Sequence, residues 1–161
     1  MGADVELGSS ARAVQEALRR LGYGNRVVAF DQTTRTAKEA AEAIGCRVEQ
    51  IAKSLVFRTS EGQRPILVVA SGKNRVNEAR LADHVGEGIE RPDAAYVRAR
   101  TGYAIGGVPP MAHAEALETY IDRDLMALDA IWAAAGTPHA VFRLTPEELV
   151  ALTGGRVVDV T

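Results

Sequence analysis

QIAKSLVF, Gln50–Phe57, is an apolar run of strand character with one cation, Lys53, in its middle. Side chains alternate faces along a strand, so Ile51, Lys53, Leu55 and Phe57 share one face and Ala52, Ser54 and Val56 share the other. A lysine among Ile, Leu and Phe has two readings. In one it is an edge residue whose ammonium snorkels to water. In the other it is a buried ammonium with a task. Burying an ammonium without a partner is costly, so the second reading requires a pocket that a polar substrate enters.

Working outward, SEGQRP (60–65) turns the chain, and PILVVA (65–70) reads as the partner strand of a hairpin. Upstream, DQTTRTAKEAAEAIGC (31–46) carries a Thr-x-x-Glu capping box, Thr36 and Glu39, at the head of an alanine-rich helix that Gly45 ends. Its stripe of Ala37, Ala40, Ala41 and Ile44 is small enough for close packing on a sheet. Cys46 reads as a small buried apolar residue without chemistry of its own. RVVAF (26–30) predicts a short strand, and Val14, Ala17, Leu18 and Leu21 predict a helix over 10–21. Residues 1–8 read as a loose tail.

Downstream, Asn77 is a fitting N-cap for a helix that turns Ala79, Leu81, Ala82 and Val85 inward before Gly86. His84 reads as a surface or helix-end residue. RPDAAYVRARTG (91–102) predicts a further helix with Pro92 in its first turn. TYID (119–122) is strand-like, and AIWAAAGTPHAVFRL (130–144) predicts two strands about the turn 135–139, with Trp132 in the core. Thr145 and Glu148 form a second capping box with Pro146 at its first helical position, and RVVDV (156–160) reads as a last strand. The pattern predicts one domain over 1–161, mixed α/β, with a mostly antiparallel curved sheet or barrel flanked by helices.

Composition narrows the classes of function. At 161 residues the chain is long enough to close a sizeable core. Its 47% hydrophobic and 25% charged residues are ordinary for a globular domain. No apolar run approaches the ~20 residues that span a bilayer, and MGADVELGSS lacks the marks of an export signal. Neither a membrane nor a DNA partner is expected. A lone cysteine excludes an intrachain disulfide and fits a reducing cytoplasm. His84, His113, His139 and Cys46 lie far apart without zinc-ligand spacing, so no metal or other cofactor is expected. The net charge of −2 argues against indiscriminate nucleic-acid binding. Two local clusters, Lys73/Arg75/Arg80 and Arg91/Arg98/Arg100, read either as solvated surface charge or as phosphate contacts.

YAIGGVPP (103–110) is the most unusual piece, with paired glycines and paired prolines enclosing one valine. Glycine lets backbone approach a ligand, and proline fixes the loop. It reads either as a connector or as a loop presenting free amides to a carbonyl or phosphate.

The order of these pieces resembles the YbaK/ProX (EbsC-like) family of aminoacyl-tRNA editing domains. The similar stretches are RTAKEAAEAIGCRVEQIAKSLVF, VVASGKNRVNEARLADHVG, RTGYAIGGVPP and GTPHAVFRLTPEELVALTGG, spanning about residues 33–155 in the family's order. The resemblance implies a hydrolase, an aminoacyl-tRNA deacylase that removes a wrongly attached small amino acid from the acceptor end of a tRNA. That tRNA is most often tRNA(Pro), and the deacylase works in trans or within a prolyl-tRNA synthetase. The implied partners are therefore mischarged tRNA together with prolyl-tRNA synthetase or an elongation factor. By the same resemblance Lys53 matches the family's functional lysine. Gly106 and Pro110 match the ends of its Gly-x-x-x-Pro loop, which encloses Gly107 and Val108. Gly136 matches the glycine of its last hairpin turn.

Three positions depart from the pattern. Ser54 follows the lysine where alanine-editing relatives tend to carry Asn. Ala134 stands where relatives place Ser or His, and Val141 stands where they place Asp. The resemblance therefore implies a less polar pocket around Ala134, with serine, threonine or a small non-protein amino acid open as its target.

The residue chemistry accommodates this reading. No Ser-His-Asp or Cys-His constellation is evident. An aminoacyl-tRNA brings a vicinal ribose hydroxyl of its own, and water is at hand. Orienting the ester and polarising its carbonyl is then enough, with Lys53 and the amides of Gly106 and Gly107 as donors. Two other readings stand beside it. One is a non-catalytic module that holds a tRNA acceptor end or a nucleotide. The other is a hydrolase of some other small acyl ester.

Overall fold

The computed structural model describes residues 6–161. The elements follow the sequence pattern closely. Helix α1 (Ser9–Arg20) leads to β1 (Val27–Ala29) and then to α2 (Ala37–Ile44), whose capping box is formed reciprocally by Thr36 and Glu39. A short 3-10 turn (Val48–Gln50) feeds the long strand β2 (Ile51–Thr59), which returns as β3 (Pro65–Ser71). Next come α3 (Glu78–Val85), the two-residue β4 (Ile89–Glu90), α4 (Ala94–Thr101) and β5 (Glu118–Asp122). A second 3-10 turn (Arg123–Ala127) precedes β6 (Ile131–Ala134), β7 (Ala140–Leu144), α5 (Pro146–Thr153) and β8 (Arg156–Val158).

The strands form one sheet in the order β1-β7-β6-β2-β3-β5-β8, with β4 paired to the far end of β2. The pairs β1/β7, β6/β7, β2/β3 and β2/β4 are antiparallel, whereas β2/β6, β3/β5 and β5/β8 are parallel. The sheet is thus mixed, and β1 and β8 end it without pairing to each other, so it stays open rather than closing as a barrel.

Strand β3 is buried along its whole length, which explains why PILVVA is a continuous apolar run instead of an alternating one. Leu67 and Val69 face the main core with Val14 and Leu18 of α1, Phe142 of β7 and Leu149 of α5. Ile66, Val68 and Ala70 face a second core with Phe57, Leu81 of α3 and Val160. Helix α2 packs its small stripe on Ile51, with Ala40 and Ala41 buried against it. That contact fixes the start of β2 and therefore the place of Lys53. Thr36→Ala is expected to cost about 1 kcal/mol through loss of the cap, measurable by urea denaturation. Unchanged stability would mean that packing on Ile51 alone holds α2.

Several expectations change on burial. Leu7 packs against the main core, so the tail reading fails there, while its first five residues lie outside those described. Ala79 is exposed, because α3 buries one residue, Leu81, in the second core. Cys46 is half-buried. Pro92 precedes the N-cap Asp93 rather than sitting in the first turn of α4. Trp132 is half-buried, for reasons that appear at the site.

Candidate active site

Strand β2 pairs with β3 along 52–58, but its other edge is covered only at the two ends. β6 pairs with Ile51 and Ala52, and β4 pairs with Arg58 and Thr59. Between them residues 53–57 have no strand on that side, and a cavity of about 350 Å³ opens along the gap. Its walls come from both faces of β2, from α2 and the residues before it, from the loop carrying Gly106 and Val108, and from β6 and β7. Trp132 is one of those wall residues, which is why it is only half-buried.

Lys53 lines the cavity, on the face that Leu55 and Phe57 give to the second core. Its Nζ donates to the Asn74 carbonyl at 2.6 Å. The Asn74 side chain is itself gripped by two carboxylates, Asp122 and Asp124, each at 2.8 Å. Asp122 is 2% exposed and also accepts from the Ser71 and Asp124 amides. The lysine is therefore neither a free edge residue nor an orphaned charge. Burial lowers its pKa from the ordinary lysine value; Asp122 opposes this and Arg75 adds to it. Asp122→Asn is expected to destabilise the fold by about 1–2 kcal/mol, because one acceptor oxygen becomes a donor facing donors. Urea unfolding would read it, and wild-type stability would show that Asp124 alone holds Asn74.

The loop 103–110 is docked by backbone. Gly106 has φ +93°, and a Cβ there would lie 2.7 Å from Arg35 Cγ, so the Arg35 stem crosses directly over it. Gly107 sits against the backbone of Thr137, and its carbonyl accepts from the Gly136 amide at 2.8 Å. Gly136, with φ +94°, lies against the Ser10 carbonyl. His113 Nε2 donates to the Pro109 carbonyl at 2.7 Å, bracing the loop from behind; burial lowers its pKa and that hydrogen bond opposes the shift.

The site residues expected from sequence divide accordingly. Lys53, Gly106, Val108 and Ala134 line the cavity together. Gly107, Pro110 and Gly136 are not in its wall; Gly107 and Gly136 hold the loop to the turn behind it. The Gly107 amide is bonded to the Ala104 carbonyl at 3.0 Å, so of the two loop amides only that of Gly106 is without a protein partner among the described residues. Ala134 and Val141 are register partners and both reach the cavity. His139 is an exposed turn residue whose Nδ1 meets the Gln32 carbonyl.

Arg35, Arg91, Thr34, Thr36 and Val97 also line the cavity, although the sequence reads Thr36 only as a helix cap and Arg91 only as part of a basic cluster, and no motif marks the other three. They meet there only because α2 and α4 pack beside one strand. The wall contains three cations, Lys53, Arg35 and Arg91, and no carboxylate, imidazole or thiol. Arg91 pairs with Glu78, whereas Arg35, Lys73 and Arg75 form no ion pair among the described residues. No group of His, Cys, Asp and Glu able to hold a metal occurs among the described residues.

The profile of the aminoacyl-tRNA editing domain matches residues 31–152, which takes in every wall of this cavity. The chain belongs to the aminoacyl-tRNA editing domain family. It is 32% identical to the uncharacterized protein YwhH of Bacillus subtilis (strain 168), over 94% of this chain and 96% of that one. It is 28% identical to a proline–tRNA ligase of Stenotrophomonas maltophilia (strain R551-3) over 72% of this chain, which corresponds to 20% of the ligase. Among solved structures, a proposed trans-editing enzyme for prolyl-tRNA synthetase superposes with TM-score 0.91 at 48% identity, covering 97% of this chain and 99% of that one. The hypothetical protein APE2540 superposes with TM-score 0.85 at 30% identity, covering 92% and 98%. No helix among the described residues is long and apolar enough to cross a membrane.

Proposed function

We propose that this editing domain is a trans-editing deacylase that hydrolyses the ester of a small, wrongly attached amino acid on a tRNA, with tRNA(Pro) as the carrier. The observation that carries the reading is the wall of the cavity: donors and cations without a general base or a side-chain nucleophile of the Cys or His-activated kind. Such a site stabilises negative charge and leaves attack to water. Water adds to the ester carbonyl carbon, the developing oxyanion is met by Lys53 Nζ and the Gly106 amide, and the carbon–oxygen bond to the ribose breaks. One proton of the water passes to the ribose oxygen, which leaves as a hydroxyl, and the other passes to solvent as the amino acid leaves as its carboxylate. Arg35, which shares the cavity wall with Lys53, and Arg75, whose charge acts on Lys53, are exposed and placed to meet the phosphates of the acceptor end. The relationship to prolyl-tRNA synthetases supports tRNA(Pro) and that synthetase as the associated partner.

A panel of tRNA(Pro) and tRNA(Ala) charged with alanine, serine, threonine, cysteine or proline tests this directly. Ester loss from one or more mischarged tRNA(Pro) species, with prolyl-tRNA(Pro) spared, is the expected result. Tight binding of the acceptor end without any ester loss would make the protein a holding module instead. Equal turnover of simple non-tRNA esters would make it a general esterase.

A further inference from the structure

The turn that leaves β3, residues 71–75, is fastened to the chain entering β2 and to the end of β5. Ser71 Oγ donates to the Glu49 carbonyl at 2.9 Å, and the Gly72 amide donates to the Ile51 carbonyl at 2.7 Å. A Cβ at Gly72 would overlap the Val48 carbonyl, so the turn lies directly on that chain. From β5, Asp122 Oδ2 accepts from the Ser71 amide and the Asn74 side chain, and Oδ1 accepts from the Asp124 amide. Neither oxygen pairs with a cation among the described residues. A buried carboxylate whose charge reaches a lysine could bond to it directly. Here the neutral Asn74 carbonyl stands between them.

We propose that Asp122 and Asn74 are positioning residues for the reaction: Asp122 fixes the Asn74 side chain, and the Asn74 carbonyl then holds the Lys53 ammonium at the cavity. The inference rests on the deacylase reading and adds how the lysine is kept ready for the oxyanion. An ammonium has three N–H donors. The carbonyl accepts one of them at 2.6 Å and leaves two for the substrate. A direct ion pair would also hold the ammonium, but it would set a full negative charge against it and weaken its pull on a developing oxyanion. Acting through the amide, Asp122 favours the charged form without bonding to it. The other charges around the ammonium oppose that form: Arg75 on the same turn, and Arg35 and Arg91 in the cavity wall. Asp124, which is exposed, shares the grip on the Asn74 side chain.

Titration of isotope-labelled lysine by NMR tests this relay without any substrate. The lysines of the chain are Lys38, Lys53 and Lys73, and Lys53→Arg assigns the signal. Lys53 is expected to titrate at lower pH in Asp122→Asn, which removes the carboxylate charge, and in Asn74→Ala, which frees the carbonyl from its anchor. Asn74 is only half-buried, so Asn74→Ala carries the test if Asp122→Asn does not fold. On a mischarged tRNA, Asn74→Ala is expected to lower kcat on the order of 10-fold with KM close to wild type. The alkaline limb of its pH profile should move down with the titration. Lys53 titrating as in the wild type in a folded variant, or a wild-type kcat and pH profile in Asn74→Ala, would overturn the relay. Lowered titration in a protein that deacylates no charged tRNA would overturn the hydrolase reading and leave the anchoring of Lys53 standing.

Discussion

Lys53→Ala is expected to lower the rate of ester hydrolysis on a mischarged tRNA by roughly 100-fold or more, the loss that follows removal of one preorganised oxyanion donor. The fold should survive, because Lys53 is half-exposed and its side chain bonds only the Asn74 carbonyl among the described residues, an acceptor that can turn to water. Circular dichroism and a urea transition close to wild type would establish that. Deacylation at the wild-type rate would remove Lys53 from the mechanism. The same experiment has a pH arm. Burial moves the Lys53 pKa below the ordinary lysine value, and the charged form is the one that meets an oxyanion. Enzymatic turnover should therefore fall as pH rises through that lowered pKa, earlier on the alkaline side than an unperturbed lysine would allow. Ester hydrolysis by hydroxide also accelerates there, so the Lys53→Ala rate is the background to subtract. A profile flat to the ordinary lysine pKa would mean that the ammonium is not the acting species.

Gly107→Ala is expected to be damaging by a different route, although the residue does not touch the cavity. Its Cβ would lie 2.7–2.9 Å from Thr137 Cα, C and N, which are backbone atoms that cannot swing aside as a side-chain end can. The loop must lift from the turn, breaking the bond from the Gly136 amide to the Gly107 carbonyl. Overpacking of this kind costs about 1–3 kcal/mol. The larger effect falls on activity, since Gly106 and Val108 move with the loop, and misplacement of a reacting group by about 1 Å can cost ~100-fold. Gly24→Ala, at a glycine with open space and no positive φ, is the control and should change neither quantity. Wild-type activity in Gly107→Ala would show that the loop does not hold the reacting ester.

The local signals in the sequence were decisive where one segment carries its own instructions. Thr36 with Glu39 and Thr145 with Glu148 marked two helix starts that form as full capping boxes. The alternation in QIAKSLVF put Lys53 on the face of Leu55 and Phe57, where it lies. The glycines of 103–110 marked a loop whose backbone must approach other backbone. What the pattern left open was what each residue would meet. Gly107 carries the same local signature as Gly106, yet only the packing of Thr137 against it turns it into a dock rather than a donor. Asp122 ends an ordinary strand, and nothing in TYID shows that it grips the loop holding Lys53.

The sequence by itself determined the mixed α/β class, the helix caps, the hairpin of β2 and β3 and the lysine at its face, because these depend on periodicities and neighbours a few residues apart. Its four family-like stretches also placed the chain among editing domains. The tertiary structure decided the rest. It uncovered the β2 edge between β6 and β4, oriented Lys53 onto Asn74, and gathered Arg35, Arg91, Ala134 and Val141 around one cavity. The physical reason is that strand pairing over long sequence separations fixes which backbone edge stays open. No local pattern reports a hydrogen bond that is not made.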